Sequence, residues 1–313
     1  MSLASSVSPS LSTSPPSLTQ ECSLTFRLAL PLIIGQLGQM LMGVVDTVMI
    51  GRLGVAPLGA ATLANTLLAV PLMLGFGMLS SISVKVSQAH GAQEPDEAKS
   101  ALRHGTWLAL AFGLATVLVA MLIIPGLSWM RQPPEVVAHT PDYLVICAFS
   151  MIPAMLTLAW KSHADALNQP WIPFWIQIGG VGLNVVLNWI FIWGKWGIPA
   201  LGLEGAGYAT LLARSLTAVA MFIWLTHASF ARSWIPDRWF VRCQTRAFKG
   251  LLAIGIPASL HLLTEVGAIC GLYADDWQSG RCSAGCAPGR HQLCGHHLHG
   301  ASWGCHGDDS ACG

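Results

Sequence analysis

Apolar residues along this chain come in long runs and not in strand-like alternation. A helix needs roughly 20 mostly apolar residues to cross the hydrocarbon core of a bilayer. Six such stretches precede residue 230: Phe26–Ile50, Leu58–Val84, Thr106–Ile124, Tyr143–Trp160, Pro173–Trp193 and Gly205–His227. A seventh begins near Leu251 and is still apolar at Ala268. Pro31, Gly35, Gly75 and Pro153 fall inside these runs. In a membrane bundle neighbouring helices re-satisfy the backbone groups that such residues free, so they do not count against the spans. The pattern predicts an all-α integral membrane protein with six spanning helices and the start of a seventh. The competing reading is a soluble all-helical core, but helices of that kind rarely run this far without charge.

Composition agrees. The chain is 53% hydrophobic and 10% charged, against about 25% charged for an ordinary soluble domain. A net charge of +1 says nothing about nucleic acid, and no basic run suggests a phosphate-binding face, so no nucleic-acid partner is expected. The expected partner is the lipid bilayer, and no obligate protein partner is indicated. Lys and Arg fall unevenly between alternate connections. Arg27, Lys85, Lys99, Arg103, Lys161, Arg232, Arg238, Arg242, Arg246 and Lys249 make ten on one side; Arg52, Arg131 and Lys195 make three on the other. Arg214 lies within the sixth span and belongs to neither count. The positive-inside rule then places the N-terminus in the cytoplasm.

The first 20 residues are rich in Ser, Pro and Thr and carry no charge. Without a basic region followed by an apolar one they are not a signal peptide. The expected organisation is a disordered cytoplasmic tail over 1–24, a six-helix lobe over 25–230, a cytoplasmic connection over 231–250, the start of a seventh helix over 251–268, and a remainder over 269–313.

A charged group at membrane depth is costly and therefore a functional candidate by default. Asp46 is the clearest case, set between GQLGQMLMGVV and TVMI. It faces a watery cavity, is protonated, or binds a cation. The plainer alternative is a residue near the helix end that reaches toward Arg52. Asn184 and Asn188, spaced i, i+4, share one face of the fifth span. Two amides there can offer carbonyl oxygens to a cation or N–H donors to a carboxylate; alternatively they tie helices together. Gln36 and Gln39 are weaker candidates of the same type. Thr210 could bond back to its own helix and need no ligand. Glu265 is the second intramembrane acid, with no Lys or Arg near enough to pair by snorkelling. His261 lies one turn earlier on the same face, which leaves open a proton relay or a packing role. No nucleophile–base pair or metal motif occurs inside the spans, so an enzyme is not expected.

Four stretches in the same order carry a resemblance: ALPLIIGQLGQMLMGVVDTVMIGRLGVAPLGAATLAN, HGAQEPDEAKSALRHG, LNVVLNWIFIWGKWGIPALGLEGAGYAT and GIPASLHLLTEVGA. They fall between residues 25 and 268, and the chain resembles the multidrug and toxic compound extrusion (MATE) family in its NorM-like bacterial branch. The resemblance implies the six-helix N-lobe of a two-lobed, twelve-helix transporter in a bacterial inner membrane. It implies export of cationic, amphipathic drugs in exchange for sodium ions or protons, with no other cofactor. Carried over position by position, Asp46, Asn184 and Asn188 match the N-lobe cation site, Thr210 is a looser match, and Glu265 matches an acid in the first helix of the second lobe. Gln36, Gln39 and Asn65 are weak candidates for the substrate cavity.

The remainder departs from the family. Residues 271–313 contain no Val, Ile, Phe or Met but hold five of the nine Cys and five of the eleven His. Cys282, Cys286, His296, His299 and Cys305 could be read as metal ligands, but the spacing is irregular and lacks a C-x-x-C pair. A frameshift near Ile269 accounts better for the stretch. Read one base forward with permitted codons, it gives an apolar string beginning ASMLMIGSLGAAALAA, which parallels TVMIGRLGVAPLGAATLAN at residues 47–65. The remainder is then expected to lack a packed fold, because it cannot bury enough apolar area to offset ordering entropy. Two function classes remain: a multidrug antiporter whose product as written does not transport, or a membrane structural or assembly protein built from half a transporter.

Overall fold

The computed structural model describes residues 18–130, 133–197, 199–227, 233–236, 239 and 245–278. Within them run seven helices: α1 (Leu18–Gly51), α2 (Val55–Gly91), α3 (Pro95–Ile123), α4 (Pro134–Ala166), α5 (Trp171–Trp193), α6 (Gly202–His227) and α7 (Thr245–Gln278). Each contains a segment long and apolar enough to cross a membrane. The all-helical architecture expected from the hydropathy pattern is the one observed, and the seventh segment, expected only as the start of a helix, is itself long enough to be a candidate span.

The helices overrun the apolar stretches where polar residues can still support a helix. α3 starts at Pro95 and not at Thr106. Proline suits the first helical position, where its missing N–H is not needed. Asp96 and Glu97 follow in the first turn, where carboxylates complement the helix dipole, and Lys99 lies 3.7 Å from Asp96. α4 begins at Pro134, nine residues before Tyr143, and runs on to Ala166, with Lys161 and Asp165 paired at 2.8 Å in its last turns. A hydropathy criterion ends where these residues begin; the backbone ladder does not.

The connections are short and closed by the backbone. Glu94 N donates to Ala89 O at 2.9 Å to turn α2 into α3. α5 ends on Gly194 in the left-handed region (φ 65°), and Lys195 N returns to Ile190 O at 3.0 Å. Glycine takes that conformation without a Cβ penalty. The expected connection over 231–250 is only partly described. Ile235 within it is buried, Trp234 rests on His90 with ring centroids 5.0 Å apart, and Trp239 meets Phe222 at 5.4 Å.

α4 is the hub, packing against α2, α3 and α6. Its buried face includes Leu144, Ala148, Met151, Met155 and Ala159. α1 sits at the rim against α5 and, less extensively, α2, and exposes Leu37, Met40, Leu41, Val44 and Val48. Such a surface is at home only in lipid or against further protein.

Both expected tails begin elsewhere than their sequence boundaries. α1 starts at Leu18, inside the stretch expected to be disordered to residue 24; residues 1–17 lie outside the described residues. α7 starts at Thr245 and continues past Ala268 to Gln278. The first ten residues of the 269–313 segment are therefore helical, and residues 279–313, with the Cys and His considered above, lie outside the described residues.

Candidate functional site

Three helices converge on a ladder of polar side chains. α1 and α5 run parallel and approach closely because α1 presents glycine: a Cβ on Gly38 would stand 2.9 Å from Ile178 Cδ1. α5 and α6 run antiparallel and close in at Gly180, where a Cβ would meet Thr217 Oγ1 at 2.3 Å. Small residues are what let membrane helices approach this far. The consequence is that side chains distant in sequence come within hydrogen-bonding reach.

The first rung joins α1 to α5: Asn188 Nδ2 donates to Asp46 Oδ1 at 2.5 Å. The same amide nitrogen donates to Asn184 Oδ1 at 3.1 Å, one turn along α5. Asn184 Nδ2 in turn donates to Thr210 Oγ1 on α6 at 3.4 Å. Thr210 also donates to Ala206 O at 3.0 Å, so its back-bond and its place in the ladder coexist. Asn184 and Asn188 are fully buried, Thr210 nearly so, and Asp46 is half-buried. A buried polar atom left without a partner costs about 1–3 kcal/mol. Asn188 Oδ1 is such an atom: it is buried and has no hydrogen-bond partner among the described residues.

The ladder occupies a defined depth. Asp46 and Asn188 each lie five residues before the ends of α1 and α5, about 7.5 Å of helix rise. Asn184 and Thr210 lie one turn deeper. One turn beyond Thr210 on α6 stands Arg214, the charged residue within the sixth span. Its Nη1 donates to Ser150 Oγ on α4 at 2.9 Å and lies 3.8 Å from Met151 Sδ. An arginine at the centre of a spanning helix costs about 2.5–3.5 kcal/mol on insertion scales. Applied to Arg214, the reasoning that singled out Asp46 would have found it in the sequence.

The remaining candidates are not gathered here. Glu265 and His261 are both exposed on α7, and no hydrogen bond or ion pair joins them among the described residues. α7 packs on α2 and α3, away from Asp46. Asn65 is exposed on α2. Gln36 and Gln39 lie on α1, but their side chains are outside the described residues. Arg52 is exposed and makes no ion pair with Asp46, so the helix-end pairing considered for that carboxylate does not form.

Chemically, the ladder offers one carboxylate and one buried, unengaged amide oxygen side by side. Such oxygens suit a hard cation, and the carboxylate alone suits a proton.

Residues 31–190 match the MatE family model. Among similar proteins are the probable multidrug resistance protein NorM of Neisseria meningitidis serogroup A, 31% identical over 250 residues, covering 80% of this chain and 54% of the relative. The multidrug resistance protein NorM of Burkholderia vietnamiensis is 36% identical over 214 residues, covering 68% of this chain and 46% of the relative. The chain thus spans about half the length of the curated relatives it matches. In fold it resembles a MATE crystallised in complex with MaD3S, with TM-score 0.72 and 23% identity, over 81% of this chain and 56% of that one. It also resembles an outward-facing multidrug resistance MATE family transporter of the MOP superfamily, with TM-score 0.69 and 24% identity, over 79% and 54%.

Proposed function

Because this chain belongs to the MatE family of membrane transporters and not to an enzyme family, we propose that it forms the first lobe of a multidrug antiporter. In this reading Asp46 binds the coupling cation, a sodium ion or a proton, and Asn184, Asn188 and Thr210 position it. The supporting observation is the Asp46–Asn188 pair at 2.5 Å with Asn188 Oδ1 buried and unpartnered beside it. Asn188 holds the carboxylate through its nitrogen and keeps its oxygen for a cation. A cationic drug and the coupling cation would compete for the same carboxylate charge, because neutralising Asp46 weakens its hold on a positive ligand. The distribution of Lys and Arg supports an N-terminus in the cytoplasm of a bacterial inner membrane.

Glu265 would act from the second lobe, whose first helix is α7. Alternating access works by rocking two lobes around a shared midplane site. Residues 1–313 expressed alone are therefore expected to leave the accumulation of a fluorescent cationic dye unchanged in an efflux-deficient bacterium. In a full-length transporter carrying this half, Asp46→Asn should abolish ion-driven dye export while the protein still accumulates in the membrane. Coupled export by that variant at the unsubstituted rate would overturn the assignment, as would ion-dependent export by residues 1–313 alone that is lost on Asp46→Asn.

A further inference from the structure

We propose that Arg214 is the fixed counter-charge of the Asp46 site, a tethered cation that weakens the site's hold on a mobile one so that the mobile cation can leave. The inference rests on the reading of Asp46 as the cation-binding carboxylate. Its ground is placement. Arg214 stands at the middle of α6, one turn beyond Thr210 and on the same helix face. Thr210 is tied through Asn184 and Asn188 to Asp46. The guanidinium is held from the far side by Ser150 and Met151 of α4. Ser150 spends its own proton on Cys147 O at 2.6 Å, which leaves its oxygen to accept from the arginine.

Asp46 is the carboxylate in the electrostatic surroundings of Arg214; the other groups there are the Cys147 thiol and the Tyr143 phenol of α4. α5, which packs against both α1 and α6, carries no Asp, Glu, Lys, Arg or His. On α2 the charged or titratable residues are Lys85 and His90, near the end remote from Asp46 in sequence. Among the described residues Arg214 and Asp46 are not a contact ion pair. They are opposite charges, with the hydrogen-bonded ladder running from Asp46 to Thr210, one turn along α6 from Arg214.

The consequence is electrostatic. A guanidinium remains charged under all ordinary conditions, and this one is anchored to α4. A cation reaching Asp46 meets a second positive charge that cannot depart, and the repulsion lowers its affinity. When the mobile cation is gone, Arg214 offsets the carboxylate left behind. A conducting or transporting site must bind strongly enough to fill and weakly enough to empty. If Arg214 were only a tie between α4 and α6, its replacement would not act according to the sign of a ligand's charge.

That distinction gives the experiment. The full 313-residue chain, purified in detergent, is titrated calorimetrically with tetraphenylphosphonium and with tetraphenylborate, two ions of nearly the same shape and opposite charge. Arg214→Gln should bind tetraphenylphosphonium about tenfold more tightly and tetraphenylborate more weakly, as expected for removing one part-buried unit charge from a low-dielectric neighbourhood. Arg214→Lys, which keeps the charge, should leave both affinities near those of the unsubstituted chain. If the glutamine variant does not fold, Arg214→Met provides the same readout with a side chain the bilayer accepts. Unchanged or weaker phosphonium binding in the neutral variants, no binding to any protein, or a shift of both probes in the same direction would overturn the proposal. Loss of export on Asp46→Asn together with unmoved affinities on Arg214→Gln would sink this inference alone. Retained export on Asp46→Asn would sink the transport reading and this inference with it, even where the two probes shift in opposite directions.

Discussion

Asp46 and Glu265 are both carboxylates inside apolar spans, yet the bundle treats them differently. Asp46 is half-buried and receives a hydrogen bond from a residue 142 positions away. Glu265 is exposed on α7 and receives none among the described residues. The difference follows from the neighbours. α1 lies against α5, whose facing side carries two amides; the described residues of α7 lie against α2 and α3, and its closest approach is made by small residues. Ser259 Oγ donates to Leu74 O at 2.9 Å across that seam, and a Cβ on Gly77 would fall 2.3 Å from Ser259 Cα. A carboxylate in a membrane span becomes part of a site only where the opposing helix supplies polar groups at its level.

The largest effect expected from this contrast is at Asn188. Asn188→Leu removes the donor to Asp46 and should destabilise the purified protein by about 1.5–3 kcal/mol, the range for losing a hydrogen bond to a charged group. Glu265→Gln should change stability by less than about 0.5 kcal/mol, as for a substitution away from any packed or bonded feature. Thermal unfolding in detergent, followed by tryptophan fluorescence, measures both. Equal effects would erase the distinction drawn between the two acids.

A somewhat smaller effect is expected at the α2–α7 seam. Gly77→Ala places a methyl group against the Ser259 backbone and should cost about 1–3 kcal/mol, as overpacking does. The same substitution at Gly179, where nothing stands within 4 Å, should stabilise by about 0.4–1 kcal/mol through the unfolded chain. Cysteine cross-linking between α2 and α7 adds the sharper readout: Gly77→Ala should lower its yield, whereas Asn188→Leu should leave it unchanged. A seam indifferent to Gly77→Ala would show that α7, with Glu265, is not anchored there.

The smallest effect concerns the far rung. Thr210→Val keeps the shape but removes the acceptor for Asn184 at 3.4 Å, and about 0.5–1.5 kcal/mol is expected for one neutral hydrogen bond. Amide hydrogen exchange of α6 should rise locally around residue 210 with little change in α4. Destabilisation as large as that of Asn188→Leu would make Thr210, and not Asp46, the point on which the ladder depends.

The spans, their number and their approximate limits were legible without coordinates, because apolar length is a local property and the bilayer sets its scale. Asp46, Asn184 and Asn188 were legible for a related reason: polar residues in such runs are conspicuous, and i, i+4 spacing fixes a shared face. The helix ends at Pro95 and Ala166 were not, since hydropathy falls there while caps and ion pairs continue the helix. Arg214 is equally visible in the sequence, because a charge at the middle of a span carries the same kind of cost that marks Asp46.

What the chain determined by itself is therefore one-dimensional: seven apolar segments, the polar residues interrupting them, and the face each polar residue shares with its neighbours on the same helix. Which faces meet was decided only in three dimensions. Parallel packing of α1 on α5 through Gly38, and antiparallel packing of α5 on α6 through Gly180, set the register that brings Asp46 to Asn188 and Asn184 to Thr210. The same packing leaves Glu265 exposed and places Arg214 at the inner end of the ladder, against Ser150. Helix formation depends on groups a few residues apart, but pairing a buried charge depends on which helices lie against one another, and small residues at the crossing points settle that.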